Sequence, residues 1–471
     1  MLGKLEKIGI IYSIVKLISN LGLYFYFIKF HSKENKYLAN KIINEVKNGG
    51  NIFWKLSQWI CSRVEFQYNL EDNYLTNQLK LFYDKCPAHD FSITKTIIEN
   101  HYKKKLEDVF KSINVCPLAS GSIGQVYSGV LKNGRKVAIK VRHPNIKENI
   151  QFLCDSIDYL KDTAFQYNIV KNNLLNFDLD GLDTYLLEQT DFKKEFGNLQ
   201  KLRNIFKNNK YVHIPEPIVC SEELLIMEFI EGKNIDDCCR ESKNKKDNKH
   251  WEAMIKFWMF IRESVLMRDF CHADLHKGNW KIWNDKIVIY DLGIILDKKE
   301  HFNDYKKIWE GLECREPKVY VPIIYKNIIN KHNCNQIHFV DFVNKKMDLQ
   351  AVDFSGDIRI ILNYLNKNKL VLKFHMLSYM MAFNLALANF KNFNFIKDNK
   401  SYIEGHLDRL SILKDKSKKY KNIPLYKRVC QDEQIFLNHN KERLKIIIAK
   451  KNEKLKEIDD VLDNLTDEET E

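Results

Sequence analysis

Two short apolar stretches in the first half of the chain, at 126–130 and 136–141, are rich in β-branched residues, and this pattern predicts two β-strands. The polar segment between them, 132–135, contains an Asn-Gly pair. Such a pair supplies the positive φ angles of a tight turn, so the three segments together predict a β-hairpin.

The second half of the chain carries apolar residues at the spacing of helices. Residues 233–249 are polar and charged and predict an exposed connector, whereas 300–450 are predicted to be mostly helical. One helix is predicted to follow the connector with a buried face formed by Trp251, Met254, Ile255, Trp258, Ile261, Val265 and Leu266.

The N-terminal segment 8–30 is rich in Ile, Leu, Tyr and Phe but contains Lys16. Its length suits a membrane span of roughly 20 residues, while the internal lysine favours an amphipathic helix that lies on a membrane surface. A helix packed within the protein is a third interpretation. The first thirty residues contain no Arg, which is not typical of a transit peptide.

The pattern FCHADLHKGN at 270–279 is followed, twelve residues later, by Asp291 and the sequence Leu-Gly. An Asp with an Asn five residues on, and then a strand that ends in Asp-apolar-Gly, is the spacing of kinase-type catalytic loops. The pattern therefore predicts nucleotide chemistry, with Asp274 as the catalytic carboxylate and Asn279 and Asp291 as ligands of Mg²⁺.

The upstream segment 119–125, Ala-Ser-Gly-Ser-Ile-Gly-Gln, consists mainly of small residues that let backbone N–H groups approach phosphate oxygens. We call it the phosphate loop. Its candidate ATP-binding residues are Ala119, Ser120, Gly121 and Ser122.

The predicted strand after this loop contains Val-Ala-Ile-Lys at 137–140. In kinases this pattern places a lysine ammonium against the α- and β-phosphates of ATP, so Lys140 is the candidate here. The lysine needs an orienting carboxylate. Glu195, in the helical run 191–199, is the candidate because the helix that carries this glutamate follows the lysine strand in kinases.

Together with these motifs, several others resemble the UbiB/AarF family of atypical kinases, and the order of the motifs is kept from about 51 to about 296. They include Pro-Leu-Ala-Ser-Gly-Ser-Ile-Gly-Gln-Val at 117–126, Asp-Phe-x-x-Glu-x-x-Asn at 191–198, Ile-Met-Glu-Phe-Ile-Glu-Gly at 226–232 and His-Ala-Asp-Leu-His-x-Gly-Asn at 272–279. The family's N-terminal Lys-x-Gly-Gln element matches Lys55-Leu56-Ser57-Gln58.

The resemblance implies an α+β, bilobal protein-kinase-like fold with an N-terminal helical extension, held over the active site through Lys55 and Gln58, and a mostly helical C-terminal region. It also implies binding of ATP and Mg²⁺, ATPase-like activity, association with membrane lipid and a supporting role in ubiquinone or other isoprenoid-lipid metabolism. Adenine is expected to meet the backbone of Glu228, Phe229 and Ile230. The expected regions are 1–50 (apolar N-terminal helix), 51–112 (extension), 113–232 (N-lobe), 233–450 (C-lobe) and 451–471 (acidic tail).

Six positions depart from the family pattern, and two of them are Leu275 and Lys277, where the family usually has Pro. Ser57 replaces the Gly of Lys-x-Gly-Gln, Gly121 replaces an Ala of the phosphate loop, and Leu292 stands in the DFG-like triplet. Gln189 replaces a Glu that stands two residues before Asp191, which weakens the expected docking contact of the extension.

Simpler interpretations exist for several of these residues. Asp274 and Asn279 are typical turn-capping residues, and Asp191 is as well explained by helix capping as by function. His272 and His276 are predicted to bond the backbone of the loop rather than bind a metal. For the whole chain, the alternatives are a catalytically silent nucleotide- or lipid-binding scaffold and a small-molecule kinase of the aminoglycoside or choline type.

Composition adds limits on partners and compartment. The formal net charge is +13, yet no basic repeat interleaved with aromatic residues indicates a nucleic-acid partner. The Lys-rich run 414–421 suits an anionic lipid surface, although a solvated surface is the simpler interpretation. Eleven cysteines without CxxC pairs favour reduced thiols in an intracellular compartment, which the resemblance would place in the mitochondrion of a eukaryote.

Overall fold

A computed structural model describes most of the chain up to residue 389. The described residues are 4–31, 35–50, 53–58, 73–79, 86–164, 181–209, 211–242, six single positions between 253 and 264, 269–313, 316–347 and 354–389. The predictions for the Lys-rich run 414–421, the acidic tail 451–471 and the helical content of 390–450 lie outside these residues.

The chain divides into two compact units. The first comprises the residues up to Lys207 together with Ile214–Glu231 and Tyr290–Ile294. The second comprises Asn208–His213, Gly232–Ile289 and the chain from Ile295 onwards.

Helices open the first unit. They are α1 (Lys4–His31), α2 (Lys36–Asn48), α3 (Tyr74–Leu79), α4 (Phe91–Tyr102) and α5 (Leu106–Val109), and 53–58 are also helical. Helix α1 contacts α2 and buries Ile14, Leu17, Leu21 and Tyr24 on one face. The spacing of three and four residues makes that face a continuous apolar stripe. No helix in the described part of the chain combines the length and the apolar character that crossing a membrane requires.

A six-stranded sheet follows the helices, and its main order is β1-β3-β4-β7-β6, with β2 paired to β3. The strands are β1 (Phe110–Ile113), β2 (Ala119–Ser120), β3 (Gly124–Leu131), β4 (Lys136–Arg142), β6 (Pro217–Cys220) and β7 (Leu224–Glu228). The predicted strands at 126–130 and 136–141 are thus confirmed as β3 and β4. The sheet begins three residues earlier than the predicted N-lobe, because β1 pairs with β3 from Phe110.

Strand β4 lies in the middle of the sheet, between β3 and β7. Its alternate residues Val137, Ile139 and Val141 are fully buried in the main apolar core, which they share with Tyr127 and Ile226. Since successive strand side chains point to opposite faces, Lys140 lies on the other face of the sheet. Packing of the core therefore fixes the face on which the lysine stands.

The hairpin turn between β3 and β4 differs from the predicted one. Gly134 has a φ of +85°, but Asn133 is not among the described residues with positive φ. The N–H of Gly134 donates to the carbonyl of Leu131 at 2.9 Å, and the Asn133 side chain accepts from the N–H of Arg135 at 3.0 Å. The turn is therefore a three-residue loop that needs one left-handed residue, rather than a two-residue Asn-Gly turn that needs two.

Three helices complete the first unit: α6 (Ile146–Ala164), α7 (Leu182–Glu188) and α8 (Phe192–Phe206). Helix α8 begins where it does because the Asp191 side chain accepts a hydrogen bond from the N–H of Lys193 at 3.0 Å, which satisfies a free helix donor. Its buried face contains Phe192, Glu195 and Leu199, so helical periodicity places an acidic residue in the interior.

The second unit holds two small sheets and a series of helices. The sheets have the orders β5-β10-β9 and β11-β8. Their strands are β5 (Val212–His213), β8 (Phe270–His272), β9 (Trp280–Trp283), β10 (Lys286–Ile289) and β11 (Ile295–Asp297). The helices are α9 (Ile235–Ser242), α10 (Phe302–Glu313), α11 (Pro317–Lys326), α12 (Gln336–Lys346), α13 (Phe354–Lys367) and α14 (Phe374–Ala388), which confirms the predicted helical content as far as 388.

One prediction for this unit needs correction, and another is tested at a single position. The polar connector predicted at 233–249 contains α9 and is therefore not fully irregular. The helix begins here because the Asn234 side chain accepts from the N–H of Asp237 at 2.8 Å. Its residue Ile235 is buried. In the helix that follows, the described buried positions are Ala253, Lys256, Phe257, Phe260, Ile261 and Ser264. Only Ile261 belongs to the predicted face, and the other six predicted positions lie outside the described residues.

Candidate active site

Lys140 and Glu195 form a buried ion pair. The Lys140 Nζ atom lies 2.7 Å from Glu195 Oε2 and 2.9 Å from Oε1. Strand β4 supplies the lysine and helix α8 the carboxylate, which are the two positions that the sequence motifs predict. The pair also packs beside an aromatic ring, since Nζ lies 5.3 Å from the centre of the Phe192 ring.

Asp291 completes an acidic cluster around this lysine. Its Oδ2 atom lies 3.5 Å from Lys140 Nζ, and its Oδ1 atom accepts from the N–H of Gly293 at 3.1 Å. The Asp291 side chain is 40% exposed, whereas that of Glu195 is 3% exposed. Two carboxylates therefore share one ammonium, and the more exposed carboxylate is positioned to take up a further cation.

The charges in this cluster shift one another. Burial raises the pKa of Glu195 to about 7, and the Asp291 carboxylate adds to the rise while Lys140 opposes it. Burial alone lowers the pKa of Lys140, but the Asp291 and Glu195 carboxylates outweigh it and raise that pKa above its usual value. The lysine is thus held in its charged form.

Asn198 is a site residue to which the sequence analysis assigned no role. Its side-chain N–H donates to the carbonyl of Leu292 at 2.9 Å. The residue lies three positions after Glu195, on the same side of α8, so one helix holds both the lysine and the Asp-Leu-Gly turn. The spacing Glu-x-x-Asn within the motif at 191–198 is the signal that could have indicated it.

The phosphate loop closes on itself and on the neighbouring strand. The N–H of Gly121 donates to the carbonyl of Gly124 at 3.0 Å. A Cβ atom on Gly124 would lie 2.4 Å from the carbonyl oxygen of Val141, so only glycine permits this approach. The hydroxyl of Ser120 is buried and has no hydrogen-bond partner within the described residues.

The N-terminal extension reaches this loop. The hydroxyl of Ser122 donates to Gln58 Oε1 at 3.0 Å, and both residues are buried. Ser57 stands in place of the family's glycine, and its hydroxyl donates to the carbonyl of Trp54 at 2.8 Å. Lys55, in the same helical segment, is also buried. Gln189 donates to the carbonyl of Tyr185 at 2.7 Å, a contact within its own helical segment.

The predicted adenine-binding backbone begins with the last residue of β7. The N–H of Glu228 donates to the carbonyl of Glu216 at 2.9 Å, and that of Phe229 donates to the carbonyl of Lys136 at 3.3 Å. Since both donors are already used, an N–H donor to adenine at these three positions would have to come from Ile230.

The second unit contains the catalytic-loop pattern, between β8 and β9. Asn279 is buried, and its side-chain N–H donates to the carbonyl of Asp274 at 2.7 Å. This bond ties the two predicted functional residues together and leaves the amide oxygen of Asn279 as the atom able to bind a cation. The Asp274 carboxylate is 30% exposed.

The two histidines of this loop bond its backbone, as predicted. His272 Nδ1 accepts from the N–H of Asp274 at 3.0 Å, and His276 Nδ1 accepts from the N–H of Gly278 at 3.0 Å. Asn389, far along the chain, accepts from the indole N–H of Trp280 at 3.0 Å and donates to the carbonyl of Leu275 at 2.8 Å. No sequence pattern indicated Asn389, because it lies 114 residues from the loop that it supports.

A lysine on a central strand paired with a glutamate on a helix later in the chain is typical of the class of kinase-like domains. Comparison with known proteins agrees. The family model of the ABC1 atypical kinase-like domain matches residues 81–320, and the chain belongs to this family. The predicted α+β kinase-like fold and the resemblance to the UbiB/AarF family are thereby confirmed.

Curated relatives carry matching names. The chain is 28% identical over 247 residues to the probable serine/threonine-protein kinase abkC of Dictyostelium discoideum, covering 50% of this chain and 34% of that protein. It is 26% identical over 274 residues to AarF domain-containing protein kinase 1 of Xenopus laevis, covering 55% and 50%. It is 27% identical over 331 residues to the probable protein kinase UbiB of Shewanella baltica, covering 66% and 55%. The chain thus spans between a third and just over half the length of these relatives.

Two solved structures are similar over most of the chain. Rv3197 of Mycobacterium tuberculosis, solved in complex with erythromycin, has a TM-score of 0.44 and 16% identity, covering 69% of this chain and 82% of that one. The Rio2 kinase of Chaetomium thermophilum, solved with ADP, Mg²⁺ and phosphoaspartate, has a TM-score of 0.28 and 11% identity, covering 76% and 96%.

Proposed function

We propose that this chain is an atypical kinase-like enzyme that binds MgATP and either transfers the terminal phosphoryl group or hydrolyses it. The observation that carries the proposal is the cluster of Lys140, Glu195 and Asp291, in which Nζ lies 2.7 Å from one carboxylate and 3.5 Å from the other. A structural ion pair would need only one carboxylate. The second, more exposed carboxylate is the feature that a nucleotide-bound metal would use.

The residues of the first unit fit ATP and Mg²⁺. Lys140 would meet the α- and β-phosphates, and the buried Ser120 hydroxyl, which lacks a partner among the described residues, would gain one from a phosphate oxygen. One ammonium and two carboxylates leave a formal charge of −1, which favours a bound cation at Asp291. Mg²⁺ would neutralise charge on the phosphates and orient them.

In the second unit we assign Asn279 to the metal and Asp274 to the acceptor. The Asp274 carboxylate would position the attacking hydroxyl or water and accept its proton. The hydrogen bond from the Asn279 side-chain N–H to the Asp274 backbone carbonyl holds the loop in one conformation, so that loss of the Asn279 side chain would affect both roles.

We infer a small-molecule or lipid-linked acceptor rather than a general protein substrate. The extension supports this inference, because Gln58 is hydrogen-bonded to Ser122 in the phosphate loop and so occupies space beside it. A role in ubiquinone or other isoprenoid-lipid metabolism follows from the resemblance to the UbiB/AarF family and is proposed on that basis alone.

We also infer contact with a membrane surface. The residues Ile8, Tyr12, Val15 and Leu23 of α1 are exposed, and their spacing places them on the side of the helix opposite the buried stripe. Four exposed apolar side chains on one helix face are typical of helices that lie at a lipid interface. This surface would hold the protein close to a lipid-linked acceptor, and the location of the protein would follow that of the membrane.

Purified protein incubated with MgATP, with and without lipid vesicles, tests the proposed activity through release of phosphate. Lys140→Ala should abolish release, because the lysine orients the phosphates. Lys136→Ala is the matched control, since Lys136 lies on the same strand but is exposed and paired with Glu231. Equal release by wild type and Lys140→Ala would refute the proposed enzyme. Binding of MgATP without any release would favour the alternative, a silent nucleotide-binding scaffold.

A further inference from the structure

A hydrogen-bonded chain of side chains links residues of the extension to the phosphate loop in the first unit. Its members, which we call the histidine chain, are Gln125, Tyr127, Thr94, His89 and His143. All of them are buried except His89, which is half-buried. The motifs assign no role to either histidine.

The chain ends on the backbone of the phosphate loop. His143 Nε2 lies 2.9 Å from the carbonyl oxygen of Gly121, and the backbone N–H of His143 donates to the carbonyl of Ile123 at 2.9 Å. A carbonyl oxygen only accepts, so His143 must carry a hydrogen on Nε2. In the neutral ring, its Nδ1 atom is then an acceptor.

That assignment fixes the tautomer of the next ring. His89 Nδ1 lies 2.8 Å from His143 Nδ1, so His89 must donate from Nδ1 and accept at Nε2. The Thr94 hydroxyl, 2.9 Å from His89 Nε2, supplies that hydrogen. Thr94 Oγ1 also lies 3.1 Å from the hydroxyl oxygen of Tyr127. Since the hydrogen of Thr94 is directed to His89, this second contact requires the hydrogen of Tyr127, whose oxygen accepts from the Gln125 side-chain N–H.

Gln125 closes the arrangement at its other end. Its Oε1 atom accepts from the backbone N–H of His89 at 2.9 Å, and its amide group also donates to the His89 carbonyl at 3.1 Å. Every donor in the chain therefore has an acceptor, and all bonds run in one direction towards Gly121. The opposite direction would place a bare Nε2 atom of His143 against the Gly121 carbonyl, where neither atom could donate.

We propose that His89 and His143 are positioning residues that hold the phosphate loop in its phosphate-binding conformation while both rings are neutral. The physical link is the peptide plane between Gly121 and Ser122. In a trans peptide the C=O and the following N–H point in opposite directions, so fixing the Gly121 carbonyl towards His143 turns the Ser122 N–H away from it. Without this bond, the freedom of glycine would allow that plane to rotate.

Protonation of either ring disturbs the chain. A proton on His143 Nδ1 would place two N–H groups against each other between the rings, and a proton on His89 Nε2 would place an N–H against the hydrogen of the Thr94 hydroxyl. Burial lowers the pKa of His89 to about 4, with His143 adding to the fall and Asp90 opposing it. Burial also lowers the pKa of His143, and its bond to the Gly121 carbonyl opposes the fall. The titratable groups that face the pair are Asp90 beside His89 and Tyr127 on β3. The Asp90 carboxylate is itself bonded to the N–H of Ser92 at 2.8 Å.

Two substitutions of His143 separate positioning from mere stability. Gln places an amide N–H where Nε2 stands and keeps the donor to Gly121, whereas Asn reaches only the Nδ1 position and loses it. In amide hydrogen exchange of the protein without nucleotide, His143→Asn should speed exchange of the loop 119–125 by about 3- to 10-fold, the worth of one hydrogen bond. His143→Gln and the exposed control His101→Asn should leave it within about two-fold of wild type.

The second arm measures MgATP affinity and rests on the proposed function. His143→Asn should weaken affinity by about 3- to 10-fold, and His143→Gln should restore it to within about two-fold of wild type. The measured quantity is the ratio of the MgATP affinity of wild type to that of His143→Gln. This ratio should decrease as the pH is lowered from 6.5 to 4. This ratio removes the titration of ATP itself, and a purely structural role for His143 would leave it constant.

The outcomes separate the two proposals. If loop exchange is faster in His143→Asn but not in His143→Gln, while the wild-type protein binds no MgATP, the histidine chain is supported and the proposed function is refuted. Equal loop exchange in both variants, or a ratio of affinities that does not change with pH, would overturn the histidine chain even if MgATP binds. If His143→Asn does not fold, the wild-type and His143→Gln comparison over pH decides the matter.

Discussion

The side chain of Asn198 donates to the backbone carbonyl of Leu292 at 2.9 Å, joining residues that stand 94 positions apart. This bond links the helix that carries Glu195 to the turn that carries Asp291. The distances from Lys140 to the two carboxylates therefore depend on Asn198, although the Asn198 side chain bonds the Leu292 backbone rather than the lysine or the carboxylates.

Replacing Asn198 with Asp should weaken the binding of Mg²⁺. The carboxylate has nearly the same shape but cannot donate, and it would face the Leu292 carbonyl with a negative charge. We expect the apparent dissociation constant for Mg²⁺ in the nucleotide complex to rise by roughly 3- to 10-fold, as for one lost hydrogen bond. Asn204→Asp, an exposed position on the same helix, is the control. An equal effect of the two variants would count against the assigned link.

Asp291→Asn should remove the metal-dependent response to ATP. Wild type is expected to melt at a higher temperature with ATP only when Mg²⁺ or Mn²⁺ is present, since ligand at 100 times its dissociation constant stabilises by about 2.7 kcal/mol. The variant should show no such shift. Asp158→Asn, exposed on α6, should behave as wild type. A metal-dependent shift that survives in Asp291→Asn would show that Asp291 is not the metal ligand.

Asp274→Asn should separate turnover from binding. The Asn amide cannot take the proton from the attacking hydroxyl or water, so phosphate release should fall by roughly 10² or more, the scale of losing a general base. Nucleotide affinity should stay within about two-fold, because the residues that hold ATP in the first unit are unchanged. Asp297→Asn, exposed on β11, controls for the loss of one negative charge. Unchanged turnover in Asp274→Asn would favour the scaffold alternative.

Acid should destabilise the protein partly through His375. Burial lowers the pKa of His375 to about 4, and His301 and Lys373 lower it further, while Asp304 opposes them. The unfolded chain, with an ordinary pKa near 6.5, binds more protons between these values, so stability falls as pH falls from 6.5 to 4. His89 acts in the same direction. The melting temperature should drop less between pH 7 and 5 in His375→Asn, which can still accept from the Tyr305 hydroxyl, 2.8 Å from His375 Nδ1. The exposed control His338→Asn should keep the full drop.

The exposed face of α1 should govern binding to lipid vesicles. Replacing Tyr12 and Leu23 with Glu adds two charges where apolar contact is proposed, and flotation with vesicles that contain anionic lipid should decrease. Asn44→Glu with Gln200→Glu adds the same charge at exposed positions on α2 and α8 and should have a smaller effect. Equal flotation of the two double variants would contradict a specific role for the α1 face.

The parts of the site that the sequence predicted are those where short motifs carry the information. Strand β4 was predictable because its β-branched residues suit an extended, half-buried conformation, and the Val-Ala-Ile-Lys pattern within it marked Lys140. Glu195 was predictable because it lies in a helical run after that strand. The backbone bonds of His272 and His276 followed from a loop whose residues are neighbours in sequence. These features arise from local sterics and spacing.

The sequence also determined the family, since the order of the motifs survives although individual positions differ. It did not determine the hairpin turn correctly, because the choice between a two-residue and a three-residue loop depends on how β3 and β4 pair. The predicted buried face of the helix at 251–266 is tested at Ile261, which is buried as predicted.

Only the tertiary structure brought together residues that lie far apart along the chain. His89 meets His143 across 54 positions, Ser122 meets Gln58 across 64, and Asn389 meets Leu275 across 114. No local pattern encodes such pairs, because each partner offers an ordinary polar group, of side chain or backbone, until folding removes water and brings the other group within hydrogen-bond distance. The sequence determined the motifs of the site and the order in which they occur. Tertiary packing decided which buried polar groups hold them in place.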